Sequence, residues 1–114
     1  MAEIVAANLD SAFQALADPT RRALLKRLTQ GPTSVSELAR PFAMSLPAIH
    51  QHLAVLESAG LVTSEKVGRV RTCRVETAAL GQAERWLTER RQEWERKLDR
   101  LAVHLQQHPG GEPK

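Results

Sequence analysis

The sequence predicts a mainly α fold, with four helices, a two-stranded β-wing and a long closing helix, on the strength of three observations. Apolar residues recur at helical spacing through most of the chain. Prolines and glycines at 19, 31–32, 41 and 60 cut the first half into short helices. Two β-prone runs then meet at Gly68-Arg69, and a proline-free stretch, residues 78–106, follows.

Each element has a local cause. In the segment 3–17, Val5, Leu9, Ala12, Phe13 and Leu16 fall on one helical face. Asp18 is a good cap, and Pro19 suits the first position of a second helix that buries Leu24, Leu25 and Leu28. Gly31-Pro32 stops it. Ser34 and Glu37 have capping-box spacing for a short third helix burying Val35, Leu38 and Ala39, which Pro41 ends. Ser45 caps a fourth helix that tolerates Pro47 in its first turn and closes at Gly60. Leu61–Val67 and Val70–Val75 form the hairpin. In the last helix, Leu80, Leu87, Trp94 and Leu101 repeat every seven residues, supported by Ala83, Leu98 and Leu105.

With 114 residues, there is room for one core. The expected organisation is one domain over residues 1–106 and a disordered tail over 107–114. No apolar run is long enough to span a bilayer, so no membrane partner is expected. The first residues lack the basic-then-apolar pattern of a secretory signal. A single cysteine, Cys73, excludes an internal disulfide and makes a reducing cytoplasm the default location. Its alternation with Arg74 predicts a half-buried packing residue.

The net charge of +3 is concentrated in one place. Residues 1–60 carry five basic and five acidic side chains, and residues 76–114 carry seven of each. Between them, Lys66, Arg69, Arg71 and Arg74 face only Glu65. A surplus so local suits phosphate contact, although charge can also protect an edge strand from aggregation.

The fourth helix divides its faces. At about 100° per residue, Ile49, Leu53 and Leu56 share a narrow arc that must be buried, with His52 near it. The opposite arc holds Pro47, Gln51, Ala54 and Ser58, flanked by His50, with no acid before Glu57. A merely solvated face normally carries Lys and Glu. This one can enter a major groove about 12 Å wide without electrostatic penalty. Gln51 can pair with adenine, His50 can donate to guanine or phosphate, and Ser45 with the first-turn amides can hold a phosphate. Lys66, Arg69 and Arg71 surround the hairpin tip, while Arg74 lies farther back. Two short helices followed directly by a basic hairpin have the layout of a winged helix-turn-helix.

The stretches Ala15–Leu25 (ALADPTRRALL), Ser34–Ala39 (SVSELA) and Met44–Val62 (MSLPAIHQHLAVLESAGLV) resemble the ArsR/SmtB family of bacterial winged-helix repressors. Gly68–Val75 resembles that family's wing, and the likeness runs over roughly residues 10–105. The resemblance implies a homodimer that binds operator DNA and blocks transcription, paired through its first and last helices. It places groove-facing positions at Ser45, Pro47, Ala48, His50 and Gln51. His50 departs from the family pattern, where Ser or Thr is commoner. The dimer residues it implies are Leu9, Phe13, Leu80, Leu87, Trp94, Leu98 and Leu101. By their size and spacing, Trp86 and Trp94 form core or dimer contacts, or line a pocket between subunits for an organic effector.

Some members of that family sense metals through a Cys-x-Cys pair before the recognition helix; here residues 36–41 contain no cysteine. The family's other site lies on the last helix, where Asp99, His104 and His108 are the candidates. His104 and His108 share a face, but no upstream residue completes a tetrahedral set, so neither metal nor cofactor is expected. No nucleophile triad, phosphate-cradling glycine loop or carboxylate cluster supports an enzyme. The expected partners are double-stranded DNA and a second copy of the chain. An effector, whether small molecule or protein, is left open.

Overall fold

The computed structural model describes residues 2–108, with side chains from Leu9 onward. The expectation for the Val5 side chain and that for residues 109–114 of the tail lie outside the described residues. Among the described residues the order is α1 (Ala2–Leu16), α2 (Pro19–Leu28), β1 (Thr33–Ser34), α3 (Val35–Ala39), α4 (Leu46–Ser58), β2 (Val62–Val67), β3 (Val70–Val75) and α5 (Ala78–Gln107). The chain divides into two compact units, Met1–Ala83 and Glu84–Lys114.

Side-chain caps start the three inner helices where the sequence places them. Asp18 accepts from the Arg21 amide at 3.0 Å, Ser34 from the Glu37 amide at 3.2 Å and Ser45 from the Ala48 amide at 3.3 Å. The capping box at α3 is only half made: the Glu37 carboxylate turns to Arg40, 3.1 Å away. At the end of α1, arginines satisfy three carbonyls. Arg21 donates to those of Ala15 and Gln14 at 2.7 and 3.0 Å, and Arg22 to that of Leu16 at 2.7 Å.

These helices enclose one apolar cluster. Leu24, Leu25 and Leu28 from α2, Val35 and Leu38 from α3, and Ile49, Leu53 and Leu56 from α4 all meet in it. Leu61, Val62 and Cys73 close it from the sheet, and Ala15 from α1. Each large member contributes about 1.5–3 kcal/mol by leaving water. The start of α5 belongs to the same unit: Ala79 and Leu80 pack against the cluster and Ala83 is buried.

The sheet differs from the expected hairpin by one strand. Its order is β1-β3-β2, all antiparallel, with Thr33 opposite Cys73 and Ser34 opposite Thr72. Two residues are too few to show a strand period, and the sequence marks them only as the approach to a cap. The consequence falls on Cys73. With β1 on its far side, β3 becomes the central strand, and Cys73, whose side chain joins the apolar cluster, is 1% exposed rather than half-buried. At the tip, Val67 pairs with Val70 across Gly68-Arg69. Gly68 has φ +63° and Arg69 does not have positive φ, the backbone pattern of a type II′ hairpin turn.

From Glu84 the second unit is a single helical stretch, with Gln107 still helical one residue past the expected end. Leu87, Trp94, Leu98, Leu101 and Leu105 on its heptad seam are all more than half exposed. Ion pairs Arg90–Glu93 and Arg91–Glu95 lie beside the seam, and the Arg90 guanidinium sits 5.1 Å from the Trp86 ring centre.

Asp18 supplies a test of the capping account. The Arg21 amide, then the Arg21 and His52 charges, hold its carboxyl below the ordinary value against some desolvation. A lowered carboxylate stabilises fully above its unfolded-state value and loses that effect as pH falls through the folded one. Asp18→Ala should therefore melt below the wild type at neutral pH, and the two melting temperatures should converge in acid. A gap unchanged by acid would show that the carboxylate charge plays no part.

Candidate nucleic-acid interface

The apolar stripe of α4 decides what its other side can present. Ile49, Leu53 and Leu56 are at most 3% exposed, so Pro47, His50, Gln51, Ala54 and Ser58 must point outward, and all five are exposed. Ser45 is exposed at the cap, and Ala48 is half-buried at the rim. This outer face carries no charge before Glu57. Three apolar side chains near it were not singled out from the sequence: Met44, Leu46 and Val55 are 39%, 46% and 40% exposed. Leu46 lies within about 20° of Leu53 on a helical projection. Its place in the first turn carries it past the edge of the core.

His52 lies on the inner flank, as the projection indicates. Its Nδ1 is 3.5 Å from an Arg21 nitrogen and 3.8 Å from the Asp18 carboxylate. His52 thus connects α4 to the start of α2 and is directed away from the outer face.

Folding brings the fourth helix and the wing to one place. A cleft of 470 Å³ is lined by Leu46 and His50 from α4, by Lys66, Arg69, Val70 and Arg71 from the wing, and by residues 34–36 at the start of α3. Ser34 and Ser36 therefore join the candidate surface, through a strand pairing that sequence spacing does not reveal. The three wing cations are not equivalent. Lys66 and Arg69 make no ion pair or hydrogen bond among the described residues. Arg71 instead donates to Ser64 Oγ at 2.8 Å, and the Ser64 hydroxyl donates to Glu57. Arg74 is held by Thr63 at 3.2 Å and lies 4.0 Å from Glu76. The cleft thus combines uncharged α4 side chains with two cations that have no partner among the described residues.

Comparisons with known proteins decide the family. A helix-turn-helix domain model matches residues 16–65. The chain is 48% identical over 71 residues to the HTH-type transcriptional regulator Rv2034 of Mycobacterium tuberculosis, 62% of this chain and 66% of that one. It resembles the solved structure of an ArsR-like transcriptional regulator from Rhodococcus sp. RHA1, at 38% identity and TM-score 0.79, covering 89% of this chain and 93% of that one. The chain belongs to the ArsR family. This ArsR-family chain is similar, at 26% identity and TM-score 0.63, to the homodimeric winged helix-turn-helix DNA-binding domain of Mb0332 from Mycobacterium bovis; that match covers 76% and 82% of the two chains. It spans 66% and 53% of the length of the curated relatives Rv2034 and NmtR. The family consists of transcriptional regulators rather than enzymes.

The candidate dimer residues fall in two groups. Leu9 and Phe13 on α1 are half-buried, and Leu80 packs against the core of its own unit rather than standing free. Leu87, Trp94, Leu98 and Leu101 are 52%, 66%, 56% and 52% exposed. Of the metal candidates, the His104 and His108 rings lie 4.5 Å apart between centroids, and Asp99 lines one surface hollow with His104. No group of three or more His, Cys, Asp or Glu side chains able to hold a metal occurs among the described residues.

Cys73 sits at the base of this region. Burial, and then the Glu57 carboxylate, push its thiol above the ordinary value, with Arg71 opposing them. In the native protein, Cys73 should react with a thiol reagent no faster than the chain unfolds, and freely in denaturant. Rapid labelling under native conditions would mean that the apolar cluster does not enclose the thiol.

Proposed function

We propose that the chain is a cytoplasmic, sequence-specific transcriptional repressor that binds duplex DNA as a homodimer over residues 1–106. The observation that carries this reading is the cleft that sets Leu46 and His50, beside the uncharged outer face of α4, against Lys66 and Arg69, neither of them paired among the described residues. α4 lies in the major groove with Ser45, Pro47, Ala48, His50 and Gln51 toward the bases and the nearest phosphates. Gln51 pairs with adenine; Lys66 and Arg69 neutralise backbone phosphates beside the groove.

The partner is a second copy of the chain. A leucine- and tryptophan-rich heptad seam exposed to water is costly, and pairing two such seams removes that cost. Leu87, Trp94, Leu98 and Leu101 supply this contact from α5, and Leu9, Phe13 and Leu80 are the further candidates for it. The homodimeric Mb0332 domain supports the pairing of two copies. A twofold dimer reads a pseudo-palindrome, with half-sites about 10 base pairs apart or a multiple of that.

Selection from a random DNA pool tests the reading and should return an inverted repeat. On the selected duplex, Gln51→Ala should cost about 1–3 kcal/mol and relax preference at one base pair per half-site. Failure to enrich any sequence would refute the proposal. Trp94→Asp should give a monomer in sedimentation, with most operator affinity lost. Unchanged mass would remove α5 from the interface.

A further inference from the structure

The wing contains an electrostatic conflict. In the β2–β3 register Lys66 stands directly opposite Arg71, so two cations share one face of a two-stranded ribbon. Like charges directly opposite are destabilising in a sheet. The conflict is resolved on one side only. Lys66 remains unpaired, while Arg71 reaches back along the strand to Ser64, whose hydroxyl donates to Glu57 at the far end of α4. Glu57 is the only acid on the exposed side of that helix. On a helical projection it falls within about 20° of Leu46 and His50, the two α4 residues that line the cleft facing the wing. Guanidinium, hydroxyl and carboxylate thus form a chain across β3, β2 and α4.

We infer that Arg71 is a positioning residue: with Ser64 and Glu57 it fastens the wing to the C-terminal end of α4, and it does not serve as a phosphate contact. This revises the expectation that groups Arg71 with Lys66 and Arg69. It also gives a use to Glu57, a carboxylate that is otherwise unfavourable on a surface facing DNA. Cys73, opposite Ser64 in the register, lies on the same face of β3 as Arg71, so the chain runs over the buried base of the sheet. The inference rests on the DNA-binding reading for its consequence. A fastened wing holds Lys66 and Arg69 at one distance from the recognition helix, so less conformational freedom is lost when DNA binds.

Two measurements test it. The first uses the selected duplex and a random-sequence duplex at several salt concentrations. Ser64→Ala and Arg71→Ala should each weaken binding about two- to tenfold. Neither should alter the salt slope, and the double variant should be no worse than either single one. Lys66→Ala and Arg69→Ala should instead each flatten the slope by roughly 0.9. The second is amide relaxation of Gly68 and Arg69 in the free protein, which should show equal gains in mobility in Ser64→Ala and Arg71→Ala. If Arg71→Ala flattens the slope as Arg69→Ala does while Ser64→Ala changes nothing, Arg71 is a phosphate ligand and the inference is overturned. Unchanged wing-tip relaxation in both variants overturns it as well, whatever DNA does. If the wild type binds no duplex, the DNA-binding reading fails, and the relaxation measurement still decides whether the fastening exists.

Discussion

Burial of the Ile49–Leu53–Leu56 stripe of α4 is the constraint on which the rest of the first unit depends. Those side chains meet α2, α3 and the sheet in one apolar cluster, so α4 cannot rotate without exposing several large groups to water. A helix held by one face has its other face determined. The outward direction of Gln51 and His50 is a consequence of packing, and needs no contact of their own to maintain it.

The caps and the sheet add direction to that constraint. Ser45 fixes where α4 begins, and its first turn sets Leu46 and His50 beside the wing. β1, only two residues long, pins the start of α3 to β3 and so brings the α3 N-terminus into the same cleft. Uncharged helix side chains, unpaired wing cations and fixed geometry thus come from three elements that share a core. In the proposed function this arrangement supplies both terms of DNA recognition, base contact from the helix and charge from the wing.

Much of this was legible in the residues because its causes are local. Asp18, Ser34 and Ser45 announce helix starts, and Gly68 a tight turn. The 49-53-56 stripe announces a buried face, and the seven-residue repeat announces the last helix. What escaped depends on contacts between distant residues. The pairing of Thr33 with Cys73 spans forty positions and helps turn β3 into a central strand, while the thiol is buried by the apolar cluster. Arg71 reads as a wing cation like Arg69 until the fold sets Ser64 and Glu57 beside it. Leu80 fits the heptad that marks the seam, yet the first turn of α5 belongs to the core of the first unit. His52 shows the intermediate case: helical projection gives its direction, while its neighbours Arg21 and Asp18 come only from the fold.

Backbone amide chemical-shift mapping during titration with the selected duplex tests the central claim most directly. The account predicts that the largest changes fall on residues 45–51 and 66–69, with the buried stripe and the sheet base little affected. Changes centred on another surface, with α4 and the wing tip unmoved, would contradict it.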